Sequence, residues 1–195
     1  MTKEFEETLK DIDQRCSRHG VPYTIIGGMA TIIHGYVRTT GDIDVSLIAE
    51  IDTLEQILEL FADDYISMKA NSLAFFQRCL FVPLKHRVTQ MRVDVAAALS
   101  SFERLAIKRS KRLSYAKIKL NVCTIEDLII MKLVAARPKD IGDLQVLVPK
   151  NRQKLDVRYL RARAKEFIDV ERSDVPEKLE EYLKAAKTPK PRRRK

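Results

Sequence analysis

The chain has 195 residues, with 36 Lys+Arg against 27 Asp+Glu, a formal net charge of +9 and three cysteines. Its 45% hydrophobic and 32% charged residues match an ordinary globular protein and exclude collagen-like, disulfide-scaffold and wholly disordered chains. No apolar run approaches the roughly 20 residues that span a bilayer, and Glu4, Glu6 and Glu7 are the wrong chemistry for a signal peptide, so neither segment is expected. Cys16, Cys79 and Cys123 are odd in number, far apart and outside any Cys/His cluster, which reads as buried free thiols in a reducing cytoplasm.

In chain order, Phe5, Leu9, Ile12 and Cys16 form the apolar stripe of a helix over residues 2–18, stopped by Gly20 and turned by Pro22. A short strand, Tyr23–Ile26, runs into Gly27-Gly28, which open a helix from Met29 to Gly35. Strand follows at Ile43–Ile48, then a helix over 52–64 with Leu54, Ile57, Leu58 and Phe61 on one face. Ser72–Leu80 reads as helix and Phe81-Val82 as extended, with Pro83 ending the assignment. Met91–Val95 is a Val-rich strand, 101–109 a helix, and Lys117–Val122 a strand with half-buried alternation. Thr124, with Asp127 three residues on, caps a helix from Ile125 to Ala136. Helices follow at 139–148, 155–170 and 176–186, separated by Pro149 and by Ser173–Pro176.

Strands and helices mix up to residue 123 and helices alone follow, so the expected class is α+β: a core at 1–123, a helical C-terminal region at 124–186 and a tail at 187–195. The tail holds six positive and no negative charges, leaving a small positive balance on the rest. It reads equally as a solvated end or as an electrostatic tether for RNA, DNA or another polyanion.

Asp42 and Asp44 are two apart on a predicted strand, so both carboxylates leave one face. Carboxylates that close repel and are costly to desolvate, and a divalent cation between them is the economical remedy. Oxygen ligands alone favour Mg²⁺ or Mn²⁺. Asp94, between Val93 and Val95, is out of place mid-strand unless paired or metal-bound, and completes a triad if its strand lies beside the first. Gly27-Gly28 joins a strand to a helix, where backbone N–H groups can approach a phosphate closely. Two metals roughly 3.5–4 Å apart beside that phosphate would clamp an in-line displacement. Each feature alone also has a plain reading: a turn, a solvated strand end, a salt-bridged Asp.

Taken together, Gly27-Gly28, Asp42-Ile-Asp44 and the strand Asp94 resemble the DNA polymerase β-like nucleotidyltransferase superfamily. The segments 38–44 and 125–144 resemble its AbiEii branch, which includes the MenT-like toxins, over roughly residues 20–145. The resemblance implies a nucleotidyltransferase-like mixed sheet flanked by helices and transfer of a nucleoside monophosphate from an NTP to a hydroxyl. It implies that Asp42, Asp44 and Asp94 hold the metals, with Asp94 also helping to activate the acceptor. Gly27, Gly28, Arg38, Thr40, Lys132, Lys139 and Asp143 would contact the nucleotide, and Asp140 would join the carboxylates and Lys132 as catalytic. Gly28 departs from the pattern, which commonly has Ser there, so backbone N–H groups must suffice. By analogy the acceptor is an RNA 3′ end, tRNA first, and an antitoxin protein is the expected partner, with no membrane involvement. Transfer to a protein or small-molecule hydroxyl, or a non-catalytic nucleotide- or RNA-binding module on the same fold, are the alternatives.

Without the resemblance, Lys132 on its apolar helix reads as a lysine that snorkels to solvent. Arg38 bridges to a triphosphate or pairs with a carboxylate, with nothing to choose between them. His34 reads as an ordinary satisfied histidine. His86 and Arg87, with Lys85 and Arg92 nearby, form a basic stretch running into the Asp94 strand, which reads as a solvated loop, with contact to an RNA backbone beside the third carboxylate as the sharper version. Tyr23, Tyr36, Phe75 and Phe76 read as core before base-stacking.

Overall fold

The alternation that put Asp42 and Asp44 on one strand face puts Ile43, Val45 and Leu47 on the other, and all three are fully buried. A computed structural model describes residues 2–186, so the predicted basic tail at 187–195 lies outside the described residues. The chain forms two compact units.

The first unit takes the residues up to Ile33 and Val37–Thr124. Its elements are α1 (Lys3–Arg18), β1 (Tyr23–Ile25), α2 (Gly27–Ile33), β2 (Asp42–Ile48), α3 (Leu54–Phe61) and β3 (Tyr65–Ser67), then α4 (Ser72–Cys79), β4 (Phe81–His86), β5 (Arg92–Ala98), α5 (Ser101–Arg109), β6 (Lys111–Tyr115) and β7 (Ile118–Val122). The strands make one mixed sheet in the order β3-β4-β5-β2-β1-β7-β6. β2 with β5 and β1 with β7 are parallel; the other neighbours are antiparallel. Val93, Val95 and Ala97 of β5 join the core face of β2, which α5 helps to cover, while the predicted stripe of α1 packs on β7. Each buried Leu, Ile or Val contributes on the order of 1.5–3 kcal/mol of transfer free energy. Ser100 and Glu103 cap α5 reciprocally, each side chain accepting from the other's backbone N–H.

The second unit, from Ile125 onward together with His34–Tyr36, is helical. Its elements are α6 (Ile125–Ala135), α7 (Pro138–Asn151), α8 (Val157–Lys165) and α9 (Asp174–Ala185). Leu128, Leu133, Leu144, Leu147, Leu160, Leu179 and Leu183 make its core. Polar groups inside it are answered: Tyr159 donates to Asp127, and Glu126 accepts from the N–H of Asp156. Lys150 Nζ donates to the carbonyl of Gly35 (2.6 Å) and Asn151 to that of His34 (3.2 Å), holding the short segment.

Several expectations are corrected. β4 runs through Pro83, which faces Met68 just past the end of β3: the Met68 N–H donates to the Pro83 carbonyl (2.9 Å), and the ladder loses only the return bond that a proline cannot donate. β3 and β6 went unrecognised, and Lys85-His86 are strand residues rather than loop. His86 is buried, with Nδ1 accepting from the N–H groups of Val88 and Thr89 and its ring edge-on to Tyr65. Pro149 lies inside α7 instead of ending it, and α8 stops at Lys165, with a 3-10 turn at Ile168–Val170. Cys16 and Cys123 are buried and Cys79 half-buried, all three as free thiols. No helix among the described residues is long and apolar enough to cross a membrane.

Candidate active site

The parallel register of β2 and β5 sets Asp44 directly opposite Asp94 and Asp42 opposite Arg92. All four belong to the sheet face away from Val45 and Val95. Oxygens of the half-buried Asp42, Asp44 and Asp94 lie within 4.8 Å of one another, close enough to share a cation. Three oxygen donors and no sulfur or imidazole suit a hard divalent ion.

The turn after β1 is built around these carboxylates. Gly27 has φ +58°, and a Cβ there would overlap the Asp44 carboxylate. Only glycine satisfies both conditions. The Gly28 N–H donates to Asp44 Oδ2 at 3.2 Å, so this backbone group holds a carboxylate. A Cβ on Gly28 would fall 2.5 Å from Thr40 Oγ1 and 3.4 Å from the Arg38 guanidinium. Thr40 thus places a hydroxyl where a residue-28 side chain would begin, which gives the departure from serine a physical reason. The same hydroxyl donates to Asp42 Oδ1 at 2.9 Å and fixes that carboxylate in turn. Arg38 donates to the neighbouring Thr39 carbonyl (2.9 Å) and lies beside Gly28.

Arg92 is the residue that sequence reading missed at the centre of the site. Its Nε and Nη2 donate to the two oxygens of Asp94 at 2.8 and 2.9 Å, a bidentate pair. The hydrogen bond to Asp94, helped by the charges of Asp42 and Asp44, raises the Arg92 pKa further. The arginine therefore neutralises part of the triad's charge. Its signal was present in the sequence: Arg92 stands two before Asp94, so it shares that residue's strand face.

Lys132, Asp140 and Asp143 come together within the helical unit. Lys132 Nζ lies 2.6 Å from Asp143 and 3.3 Å from Asp140, with all three almost fully buried. Asp140 also accepts from Arg137, through Nε at 2.6 Å and the backbone N–H at 3.3 Å, capping α7 behind Pro138. Burial pushes the Asp140 carboxyl up, but Arg137 and Lys132 outweigh it and hold the group below the usual carboxylate range. These pairings by themselves account for a lysine inside an apolar helix. Lys139, in the first turn of α7, is exposed and outside that cluster.

Tyr23 is core, its hydroxyl donating to Asp13, and Phe76 is fully buried. Phe75 instead meets Phe81 edge-to-face, with centroids 5.5 Å apart.

A family model described as "Nucleotidyltransferase of unknown function (DUF6036)" matches residues 2–187, and the chain belongs to that family. Solved structures with the same fold include the antibiotic-resistance factor ANT(2'')-Ia, at 18% identity and TM-score 0.58 over 87% of this chain and 96% of that one. An antigenic nucleotidyltransferase-like protein from Paracoccidioides brasiliensis aligns at 17% identity and TM-score 0.55 over 94% of both chains. The lincosamide antibiotic adenylyltransferase LnuA, lincomycin-bound, aligns at 16% identity and TM-score 0.50 over 75% of this chain and 96% of that one. No curated protein sequence gives a significant match. At these identities the neighbours establish the nucleotidyltransferase-like α+β fold.

Proposed function

We propose that the protein is a divalent-metal-dependent nucleotidyltransferase that moves a nucleoside monophosphate from an NTP to a hydroxyl. The observation that carries this reading is the convergence of Asp42, Asp44 and Asp94, with oxygens within 4.8 Å, beside the Gly27-Gly28 turn. Asp42, held by Thr40, and Asp44, held by Gly28, would be the metal ligands, with Asp94, paired with Arg92, as the third carboxylate that would hold the ion. Bound Mg²⁺ or Mn²⁺ would neutralise phosphate charge and polarise the reacting oxygens. The acceptor oxygen bonds to the α-phosphorus, the bond from that phosphorus to the bridging oxygen breaks, and pyrophosphate departs with the electron pair. Asp94 takes the hydroxyl proton. Gly27, Gly28, Arg38 and Thr40 form the phosphate side of the site.

The family resemblance adds Lys132, Lys139 and Asp143 as nucleotide contacts and Asp140 as a catalytic group. It also supports the finer reading: an AbiEii/MenT-like cytoplasmic enzyme whose acceptor is an RNA 3′ end, tRNA first, balanced by an antitoxin protein. The chain's net charge of +9 agrees with a polyanionic acceptor.

The test supplies each of the four α-³²P-labelled NTPs with Mg²⁺ to total tRNA and, separately, to total protein. Wild type is expected to label tRNA with one nucleotide and Asp42→Ala/Asp44→Ala to label nothing. Label on protein overturns the acceptor, and pyrophosphate release equal in wild type and double variant overturns the chemistry.

A further inference from the structure

Sheet order gives the carboxylates two unlike flanks. On one side lie β1 and the Gly27-Gly28 turn; on the other lie β4 and β3. Across the β5–β4 pairing, Pro83 stands opposite Asp94, Phe81 opposite Ala96 and Lys85 opposite Arg92. Directly opposed residues of antiparallel strands share a face, so Phe81, Pro83 and Lys85 continue the face that carries Asp94. Phe81 is the diagonal neighbour of Asp94, about 7–8 Å away between backbones.

That flank is aromatic and cationic. Phe81 is 37% exposed and is braced by Phe75. Lys69 Nζ lies 4.9 Å and Arg78 Cζ 5.9 Å from the Phe75 ring centroid. Leu80, in the left-handed conformation at the end of α4, turns the chain directly into β4 and so fixes Phe81 against that helix. Among the described residues, none of Lys69, Arg78 and Lys85 has a carboxylate partner. A polycationic acceptor would meet like charge here, and an uncharged one would leave three cations unused. A strand with a flat base at its end and phosphates behind it uses both features.

We propose that Phe81, braced by Phe75, is the stacking platform for the terminal base of a single-stranded RNA acceptor, and that Lys69, Arg78 and Lys85 neutralise the phosphates leading to it. This subsite rests on the nucleotidyl-transfer reading above and adds to it the place and the mode of acceptor binding. Stacking on Phe81 sets the terminal ribose beside Asp94, the group that takes the hydroxyl proton.

The experiment measures transfer from labelled NTP to tRNA by the full chain, as kcat and KM for RNA, in wild type, Phe81→Ala, Phe81→Tyr and Lys85→Ala. Phe81→Ala is expected to raise the KM for RNA about 5- to 100-fold, the usual loss when one base loses its aromatic partner, and Phe81→Tyr to restore it. The KM for NTP and the thermal shift on adding Mn²⁺ with NTP stay at wild-type values, which shows that the variant is folded and its donor side intact. Lys85→Ala is expected to lower the salt dependence of RNA binding by about 0.7 in log–log slope, the single-strand value for one phosphate. Wild type that labels RNA while Phe81→Ala matches it in KM overturns the platform and leaves the transferase reading standing. Wild type that labels no RNA overturns the acceptor reading itself.

Discussion

At Gly27 two independent demands meet in one atom. A left-handed φ of +58° disfavours any Cβ, and the space that Cβ would enter is filled by Asp44. Gly27→Ala is therefore expected to cost about 1–3 kcal/mol of stability and to displace a metal ligand. Urea unfolding and Mn²⁺-dependent thermal stabilisation measure the two effects. Gly41→Ala is the control, since its Cβ meets nothing within 4 Å, and both readings are expected to stay near wild type. A Gly27→Ala variant with wild-type Mn²⁺ response would show that Asp44 can hold its place beside a Cβ at position 27. The carboxylates were legible because period-two spacing on a β-prone run needs no tertiary information. Arg92 obeys the same spacing with respect to Asp94, but read beside Lys85, His86 and Arg87 it merged into a basic stretch. The role of Thr40 in taking up the space at Gly28 was not legible, because closeness across a loop has no sequence period.

At the scale of elements, α6 and α7 are joined by charge inside an apolar contact. Removing one partner from a buried ion cluster costs far more than the pair contributes net, because the other partner stays buried without it. Lys132→Met is expected to destabilise the protein by about 3–5 kcal/mol at pH 7, measured from the urea midpoint. Asp140 is held below the ordinary carboxylate range, so its stabilising effect is complete above about pH 4 and disappears as pH falls through its lowered folded value. Protonation of Asp140 also relieves the carboxylate that Lys132→Met leaves without its lysine. The gap in stability between wild type and variant is thus expected to narrow from pH 7 to pH 3. A gap that stays constant would show that the cluster is not ionised as described. Which elements could be read beforehand follows the same physics. β2 and β5 carry one unbroken apolar face each, whereas β6, Lys111–Tyr115, has little to bury at a sheet edge, and three-residue β3 is too short for a period. Pro83 and Pro149 misled because one missing N–H weakens an element without ending it: the Pro83 carbonyl still accepts from Met68 past the end of β3, and that of Pro149, in the last turn of α7, from the N–H of Arg152.

For the whole molecule, the shift from mixed strands to helices alone near residue 123 foretold the α+β class, because such a change of period reports how each region buries its apolar face. The membership of His34–Tyr36 in the helical unit was not foretold, since it depends on hydrogen bonds from Lys150 and Asn151 more than a hundred positions away. The parallel pairing of β2 with β5 has one more consequence, and it concerns time. No tight turn can join parallel neighbours, so Asp44 and Asp94 are brought together by a crossover that contains α3, β3, α4 and β4. Such non-local pairings form late. After dilution from denaturant, helical circular dichroism is expected to recover before Mn²⁺ binding at the carboxylates does. During synthesis, a ribosome that has not yet released β5 carries a chain with two of the three carboxylates and no reaction centre.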